Sequence, residues 1–249
     1  MVFGALGLLL TVLVVATVVT RRRPTSPVPD LDDYLVRWSA GHDGYDAAAT
    51  RFVGGWLKGV YRLARPFARA GVLPNAVTAW TAWLALVVVA LTGQGGGWAV
   101  VAGVLLVASG LGDALDGAVA VLTGRETAWG YVLDSVVDRI NDVLYVVAAW
   151  IAGAPAWLAI ACGTAFGLLE YMRARAGNAG ADHTTVITVG ERPQRIICCA
   201  IAVGLSGMLP ARAADVARHA LIVLLVLSVT GLVQLAFALH RQLRGDSRQ

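Results

Sequence analysis

Residues 113–138 read D-A-L-D-G-A-V-A-V-L-T-G-R-E-T-A-W-G-Y-V-L-D-S-V-V-D and carry four aspartates, Asp113, Asp116, Asp134 and Asp138, within hydrophobic sequence. An ionised carboxylate in a bilayer is costly, and such residues usually face a cavity and serve a function. Neighbouring carboxylates also repel one another, and a divalent cation with oxygen ligands removes that repulsion. The stretch therefore predicts a metal site inside a membrane protein.

The composition agrees with a membrane protein. Of the 249 residues, 57% are apolar and only 14% are charged, and the mean hydropathy is +0.68. In a typical soluble domain about a quarter of the residues are charged. We expect an all-α, polytopic membrane helix bundle of roughly six to eight spanning helices, surrounded by the lipid bilayer and without a nucleic-acid partner.

Seven apolar runs mark the predicted membrane helices. Basic residues concentrate in alternate loops, which predicts a six-helix core with both ends in the cytoplasm. The first run is one extra N-terminal transmembrane helix, and its basic cluster at 21–23 follows the apolar residues, which favours a retained anchor over a cleaved signal peptide. The runs cover residues 2–20, 76–93, 98–122, 128–152, 155–172, 196–208 and 219–239.

The chain divides into five predicted segments. These are an N-terminal membrane anchor at 1–20, a cytoplasmic linker at 21–50, an interfacial amphipathic helix at 51–72, the six-helix core at 73–243 and a tail at 244–249. Apolar residues recur at three- and four-residue spacing between 51 and 70, which favours the interfacial helix. A solvated basic loop is the alternative there.

The spacing of the four aspartates predicts that they meet. Asp113 and Asp116 are three residues apart and Asp134 and Asp138 are four apart, so each pair shares one face of its helix. Gly124 lies at the centre of the short loop between the two helices. At about 1.5 Å per residue, both pairs lie roughly 12–15 Å from the cytoplasmic edge of the membrane.

Carboxylates at one depth can hold one or two hard cations, Mg2+ or Mn2+, and leave positions open for phosphate oxygens. A further carboxylate is then available as a general base. Gly117 and Gly130 remove side chains beside the aspartates, although helix packing alone also explains them, as it does Ala120. A structural ion-pair network and a cation or proton pathway are the alternative interpretations of the aspartates.

These residues resemble the signature of the CDP-alcohol phosphatidyltransferase family, D-x2-D-G-x2-A-R-x8-G-x3-D-x3-D. The resemblance covers the core from Leu73 to Leu243, and residues 73–78, L-P-N-A-V-T, resemble the segment that opens the family's first core helix. The seven positions in register are Asp113, Asp116, Gly117, Ala120, Gly130, Asp134 and Asp138.

The resemblance implies a reaction of phospholipid biosynthesis. A member of this family takes a phosphatidyl group from CDP-diacylglycerol, passes it to the hydroxyl of a small polar acceptor and releases CMP. By the family pattern, Asp113, Asp116 and Asp134 bind the metal ions and Asp138 deprotonates the acceptor hydroxyl. Gly117, Ala120 and Gly130 then belong to the substrate-binding surface.

One position departs from the signature. The family has arginine where this chain has Val121, and in the family that arginine helps to hold the diphosphate of the nucleotide. Arg125 lies one helical turn further along and is the candidate replacement.

Four arginines near the fifth and sixth helices suggest the acceptor. Arg173, Arg175, Arg192 and Arg195 occupy a predicted cytoplasmic loop, and guanidinium groups bind phosphate in bidentate fashion. Their segments resemble Y-x-[KR]-A-R-A and E-R-P-x-R of actinobacterial phosphatidylinositol phosphate synthases, and Asp142 matches the D-R-I-x-D run of that subfamily. This resemblance favours inositol phosphate over glycerol phosphate as the acceptor. The positive-inside bias is the alternative explanation of the arginines.

Two other functions stay open at this point. The intramembrane carboxylates are also typical of a membrane cation carrier, and Val121 together with the extra N-terminal segment is compatible with an inactive relative that serves as a partner subunit. For the enzyme we expect a multi-pass protein of the cell membrane whose active site opens to the cytoplasm. A homodimer is an assembly that the sequence leaves open.

Overall fold

A computed structural model describes residues 2–22, 27–40, 51–179 and 187–246 of the chain. Throughout these residues the regular structure is helical and there is no strand, which confirms the predicted all-α class. Arg23, in the predicted basic cluster after the anchor, lies outside the described residues, as do 41–50 of the predicted linker and 247–249 of the predicted tail.

Short turns connect most of the helices, and in several of them glycine takes the left-handed backbone conformation that the turn requires. Gly95 has φ 68° directly after the helix Pro74–Thr92, and Gly124 has φ 61° directly after the helix Gly96–Thr123. The described helices are α1 Val2–Thr20, α2 Leu31–Ala40, α3 Arg51–Ala70, α4 Pro74–Thr92, α5 Gly96–Thr123, α6 Ala128–Ile151, α7 Ala156–Asn178, α8 Arg192–Met208 and α9 Ala213–Asp246, with a 3-10 turn at Pro210–Arg212.

Four of the described helical segments are long and apolar enough to cross a membrane: Val2–Thr20, Pro74–Thr92, Gly96–Thr123 and Pro210–Arg244. The remaining predicted spans coincide with α6, α7 and α8. These three helices are more polar or shorter than the first four, because α6 and α7 carry the charged residues of the candidate site and α8 has 17 residues. The polytopic membrane bundle is confirmed.

Several helices extend beyond the apolar runs that predicted them. Arg173 and Arg175 belong to the last turns of α7, and Arg192 and Arg195 belong to the first turn of α8. The prediction that these arginines lie in a loop was therefore wrong. Hydropathy marks only the part of a helix that suits hydrocarbon, whereas the backbone hydrogen bonds continue into polar sequence.

The predicted linker also contains a helix. α2, Leu31–Ala40, begins where the Asp30 carboxylate accepts a hydrogen bond from the Asp33 backbone N–H at 3.0 Å. Its Tyr34 side chain is 1% exposed, and burial raises the Tyr34 pKa to about 12. A ten-residue helix is marginal alone, so this burial is what stabilises it.

The chain forms two compact units. The first consists of Met1–Leu84 and Ala108–Asp138, and the second of Ala85–Val107 and Arg139–Gln249. Both units share the long helices α4, α5 and α6, each of which contributes one portion to each unit.

The core of the first unit lies where α2 and α3 pack against the last three turns of α5. It contains one face of α3 and the small or branched residues of α5. The buried members are Tyr34, Leu57, Val60, Tyr61, Ala64, Ala68, Ala118, Val119, Val121 and Leu122. This packing fixes α3 beside the end of the helix that carries Asp113 and Asp116.

Helix α1 is attached to α4 within the same unit. The indole N–H of Trp80 donates to the Thr17 hydroxyl at 3.0 Å, and that of Trp83 donates to the Leu6 carbonyl at 3.1 Å. The Arg22 backbone N–H donates to the Gly71 carbonyl at 2.7 Å. The residues of α1 are otherwise at least partly exposed, as expected for a helix that faces lipid.

The second unit is built around α9, which packs against α7 and α8. Small residues allow close approach of α5 and α8: a Cβ added at Gly103 would lie 2.7 Å from the Gly204 Cα atom, and one at Gly207 would lie 2.5 Å from the Gly96 carbonyl oxygen. Such glycine contacts bring helices together in membranes.

Candidate active site

Three of the four aspartates form a cluster in the first unit. One carboxylate oxygen from each of Asp113, Asp134 and Asp138 lies within 4.8 Å of the other two, and all three residues are half-buried. Asp113 comes from α5, while Asp134 and Asp138 lie one turn apart on α6. Carboxylates from two consecutive helices thus meet as predicted, although the cluster contains three of the four aspartates that were expected to meet.

The cluster suits a hard divalent cation. Oxygen ligands lie about 2.0–2.6 Å from Mg2+ or Ca2+, so two ligands of one ion are at most about 5 Å apart. The separation in the cluster meets this limit without a rearrangement of the helices. Three carboxylates this close are also strongly repulsive unless a cation neutralises them.

Asp116 has a different environment from the other three. Its side chain is 4% exposed. The Thr78 hydroxyl donates to its Oδ2 at 2.5 Å, and the Gly117 backbone N–H donates to its Oδ1 at 2.6 Å. A carboxylate offers about four lone-pair positions, so these two bonds fix its orientation and leave it able to accept a further ligand.

The signature glycines have distinct surroundings. A Cβ added at Gly117 would meet nothing within 4 Å, so the helix surface at Gly117 is open. At Gly130 it would lie 3.0 Å from the Thr127 hydroxyl and 3.4 Å from the Asn75 side-chain oxygen, so this glycine allows the start of α6 to approach the start of α4. Ala120 is half-buried on α5.

Val121 and Arg125 do not form the basic site that the family signature places here. Val121 is 7% exposed and packs in the apolar core with α3. The Arg125 guanidinium donates through Nη2 to the Arg22 carbonyl at 2.8 Å, which attaches the residues after α1 to the end of α5.

The second unit contains a cluster of arginines and carboxylates at its own centre. Arg195 is 1% exposed; its Nη1 lies 2.8 Å from Asp142 Oδ2 and its Nη2 lies 2.9 Å from Glu170 Oε1. Arg139 lies 3.1 Å from Glu170 and 3.6 Å from Asp142.

The other three predicted phosphate-binding arginines differ from one another. Arg173 forms a bidentate pair with Glu191, whose carboxylate also accepts hydrogen bonds from the Thr188 N–H and hydroxyl. Arg192 lies 3.8 Å from Asp142 Oδ1 and has 13% of its side chain exposed. Arg175 is exposed near the end of α7.

Burial tends to raise the Glu191 pKa, but the hydrogen bonds from Arg173 and Thr188 outweigh it and hold that pKa below its usual range.

Thr78, Arg139, Glu170 and Glu191 were not among the predicted site residues. Arg139 follows Asp138 directly and Glu170 precedes the Y-M-R-A-R-A segment, so their positions beside motifs were the available signal. For Thr78 the signal was its place at the end of the L-P-N-A-V-T segment.

The sequence pattern of one protein family matches most of the chain. The family described as CDP-alcohol phosphatidyltransferase matches residues 71–240. The matched range includes all four aspartates and the arginine cluster, and it begins directly after α3.

Two curated relatives are similar over parts of this range. The phosphatidylinositol phosphate synthase of Cutibacterium acnes is 31% identical over 164 residues, which cover 63% of this chain and 78% of that protein. The archaetidylinositol phosphate synthase of Aeropyrum pernix is 38% identical over 124 residues, 49% of this chain and 54% of that protein.

Solved structures of the Mycobacterium tuberculosis phosphatidylinositol phosphate synthase share the fold. The structure with CDP-DAG bound has a TM-score of 0.57 and 26% sequence identity, covering 72% of this chain and 92% of that one. The structure in complex with manganese and citrate also has a TM-score of 0.57, at 24% identity, and covers 72% of this chain and 88% of the other.

Proposed function

This chain belongs to the CDP-alcohol phosphatidyltransferase family and is a transferase of substituted phosphate groups, and we propose that it transfers the phosphatidyl group of CDP-diacylglycerol to inositol phosphate. In the proposed reaction the acceptor hydroxyl oxygen forms a bond to the lipid-linked phosphorus, the bond to the CMP oxygen breaks, and CMP leaves. The observation that carries the proposal is the cluster of Asp113, Asp134 and Asp138, in register with the family signature.

Family membership and the CDP-DAG-bound relative support the proposed donor. The acyl chains of such a donor stay in the bilayer, so the reacting phosphates need a polar site within a membrane protein. Carboxylates on membrane helices, with open space beside Gly117, are suited to that need.

The names of the relatives support the proposed acceptor. The bacterial and archaeal relatives differ in the lipid part of their products, phosphatidyl and archaetidyl, and share inositol phosphate. A phosphorylated acceptor also suits the second unit, where four guanidinium groups, of Arg139, Arg173, Arg192 and Arg195, face three carboxylates. We propose that Arg175 and Arg192, with Arg173 beside them, recognise the acceptor phosphate.

We propose that Asp113, Asp116 and Asp134 hold Mg2+ or Mn2+ and that Asp138 takes the proton of the acceptor hydroxyl. A bound divalent cation would neutralise the diphosphate and stabilise the charge that develops on the departing CMP. Asp138 belongs to the same cluster as Asp113 and Asp134, so its carboxylate lies close to two of the proposed metal ligands. The Thr78 and Gly117 hydrogen bonds orient Asp116 for its role.

The remaining assignments rest on the sequence. We propose that Gly117, Ala120 and Gly130 line the donor site and that Arg125 contributes positive charge at its edge. The position of the protein in the cell membrane, the opening of the site to the cytoplasm and a homodimer remain predictions.

CMP release tests the function directly. The purified full-length protein, in detergent with Mg2+ or Mn2+ and CDP-diacylglycerol, should release CMP with inositol phosphate and yield a phosphorylated inositol lipid. Glycerol phosphate, free inositol and serine form the comparison arms. Asp138→Asn should abolish release, whereas Asp215→Asn, at an exposed site at the start of α9, serves as the matched control.

CMP release with glycerol phosphate but not with inositol phosphate would identify glycerol phosphate as the acceptor and leave the proposed type of reaction unchanged. Absence of CMP release with every acceptor, from folded protein, would favour the inactive partner subunit. Metal flux into proteoliposomes without CMP release would favour the cation carrier.

A further inference from the structure

Arg195 has no hydrogen-bonding edge left for a phosphate. Its terminal nitrogens pair with Asp142 at 2.8 Å and with Glu170 at 2.9 Å. Its Nε donates to the Gly190 carbonyl at 3.2 Å. A guanidinium has five N–H donors in a fixed plane and binds phosphate through a pair of them, and at Arg195 each edge already faces an acceptor.

One face of the guanidinium is also covered. Its central carbon lies 4.8 Å from the centre of the Phe166 ring, a cation–π arrangement that occupies that face. The whole residue is 1% exposed. Arg195 is therefore a buried cation, each of whose three nitrogens already has an acceptor.

These partners come from three parts of the second unit. Asp142 lies on α6, Phe166 and Glu170 lie on α7, and Gly190 lies in the turn before α8. That turn is pressed onto α9, because a Cβ at Gly190 would lie 3.1 Å from the Leu227 carbonyl oxygen and 3.2 Å from the Ser228 Cα atom. Arg195 thus joins α6, α7 and the turn around one charge.

Asp142 connects Arg195 to two further arginines. Asp142 is 2% exposed; its Oδ2 faces Arg195, and its Oδ1 lies 3.8 Å from the Nε of Arg192. Arg139 approaches Oδ2 at 3.6 Å and has 33% of its side chain exposed. The carboxylate that Arg195 binds is therefore shared with Arg192 and Arg139.

We infer that Arg195 is a positioning residue and not a ligand of the acceptor phosphate. It acts through Asp142, holding the carboxylate that also lies beside Arg192 and Arg139. The inference rests on the proposed function, since it concerns the phosphate of the same acceptor. It removes Arg195 from the group of arginines proposed to bind that phosphate.

A charge-balanced double variant tests the inference. Arg195→Met alone leaves Asp142 buried without its main partner and should lower the melting temperature sharply. Arg195→Met combined with Asp142→Asn removes both charges and should restore most of the melting temperature. If Arg195 acts only through Asp142, the double variant should have a KM for inositol phosphate within about threefold of that of Asp142→Asn alone, because the carboxylate through which Arg195 acts is absent from both.

The matched control is the exposed pair of Arg218 and Asp215, which has the same 2.8 Å separation with 49% and 63% of its side chains exposed. Arg218→Met, alone or combined with Asp215→Asn, should change the melting temperature little.

Two results would overturn the inference. A double variant that regains its melting temperature but has a KM for inositol phosphate more than tenfold above that of Asp142→Asn alone, at an unchanged KM for CDP-diacylglycerol, would make Arg195 a phosphate ligand. A double variant that melts as low as Arg195→Met would show that Arg195 does not act through Asp142. The melting measurements need no catalysis, so they stand even if the wild-type protein transfers nothing to inositol phosphate.

Discussion

Thr78 and Asp116 lie 38 positions apart in the sequence and share a hydrogen bond of 2.5 Å between two buried side chains. This bond joins the start of α4 to the signature aspartate on α5. Because the Gly117 N–H holds the other oxygen of Asp116, the carboxylate has one fixed orientation. Its capacity to act as a ligand beside the cluster depends on that orientation.

We expect Thr78→Val to weaken metal binding about tenfold, because a hydrogen bond to a charged group contributes about 1.5 kcal/mol. Thr78→Ser should keep the hydroxyl and the affinity. Mn2+ titration followed by electron paramagnetic resonance measures both. Thr92→Val is the control, since the Thr92 hydroxyl bonds only to a carbonyl of its own helix; equal weakening in both valine variants would contradict a specific role for Thr78.

Repulsion within the carboxylate cluster predicts that Asp113→Asn has opposite effects on the melting temperature with and without metal. Without metal, Asp113→Asn removes one of three negative charges whose oxygens lie within 4.8 Å of one another, so the chelated variant should melt higher than the chelated wild type. With saturating Mn2+ the order should reverse, because the variant has lost a ligand. Melting curves with EDTA and with Mn2+ give both comparisons.

Asp32→Asn, at an exposed position of α2, is the control for this pair of measurements and should show neither effect. The same order of melting temperatures in EDTA and in Mn2+ would mean that Asp113 is not a metal ligand.

The sequence predicted the helices and the meeting of three of the four aspartates because both follow from local periodicity. Each apolar run predicted as a membrane span coincides with a helix of the structure. The four-residue spacing of Asp134 and Asp138 places both on the face of α6 that meets Asp113. The family resemblance, based on seven positions, is confirmed by the match over residues 71–240.

Partners distant in sequence could not be predicted in this way. The bond from Thr78 to Asp116 and the pairs of Arg195 with Asp142 and Glu170 join different helices, and no periodicity within one segment encodes them. Burial was equally hidden, because an arginine beside a membrane helix is ordinarily a solvated or lipid-headgroup contact. The sequence therefore identified the arginines but did not show that Arg195 is buried and Arg175 is exposed.

Restoring the family residue at position 121 should harm this protein. Val121 is 7% exposed within the apolar core that α2 and α3 form on α5, so Val121→Arg buries a charge among alkyl and aromatic groups at a cost of more than about 2 kcal/mol. We expect a lower melting temperature and no gain in CMP release. Val36→Arg, at a site that is 70% exposed on α2, should leave both unchanged.

A rise in CMP release with Val121→Arg at an unchanged melting temperature would contradict this expectation. It would mean that the N-terminal helices can move aside for the arginine, and it would support the interpretation of the chain as a diverged relative.

The pair of Arg173 and Glu191 predicts a pH-dependent part of the stability. The Glu191 pKa is held below its usual range in the folded protein, so its contribution is fully present above the unfolded value of about 4.3 and is lost as the pH falls through the lower folded value. Glu191→Gln should therefore melt below the wild type at pH 7, and the difference should shrink below about pH 4.3.

Melting curves from pH 7 to pH 3 measure this difference, and Glu126→Gln, at an exposed site, is the control. A difference in melting temperature that stays constant over this range would show that the Glu191 charge does not stabilise the turn before α8.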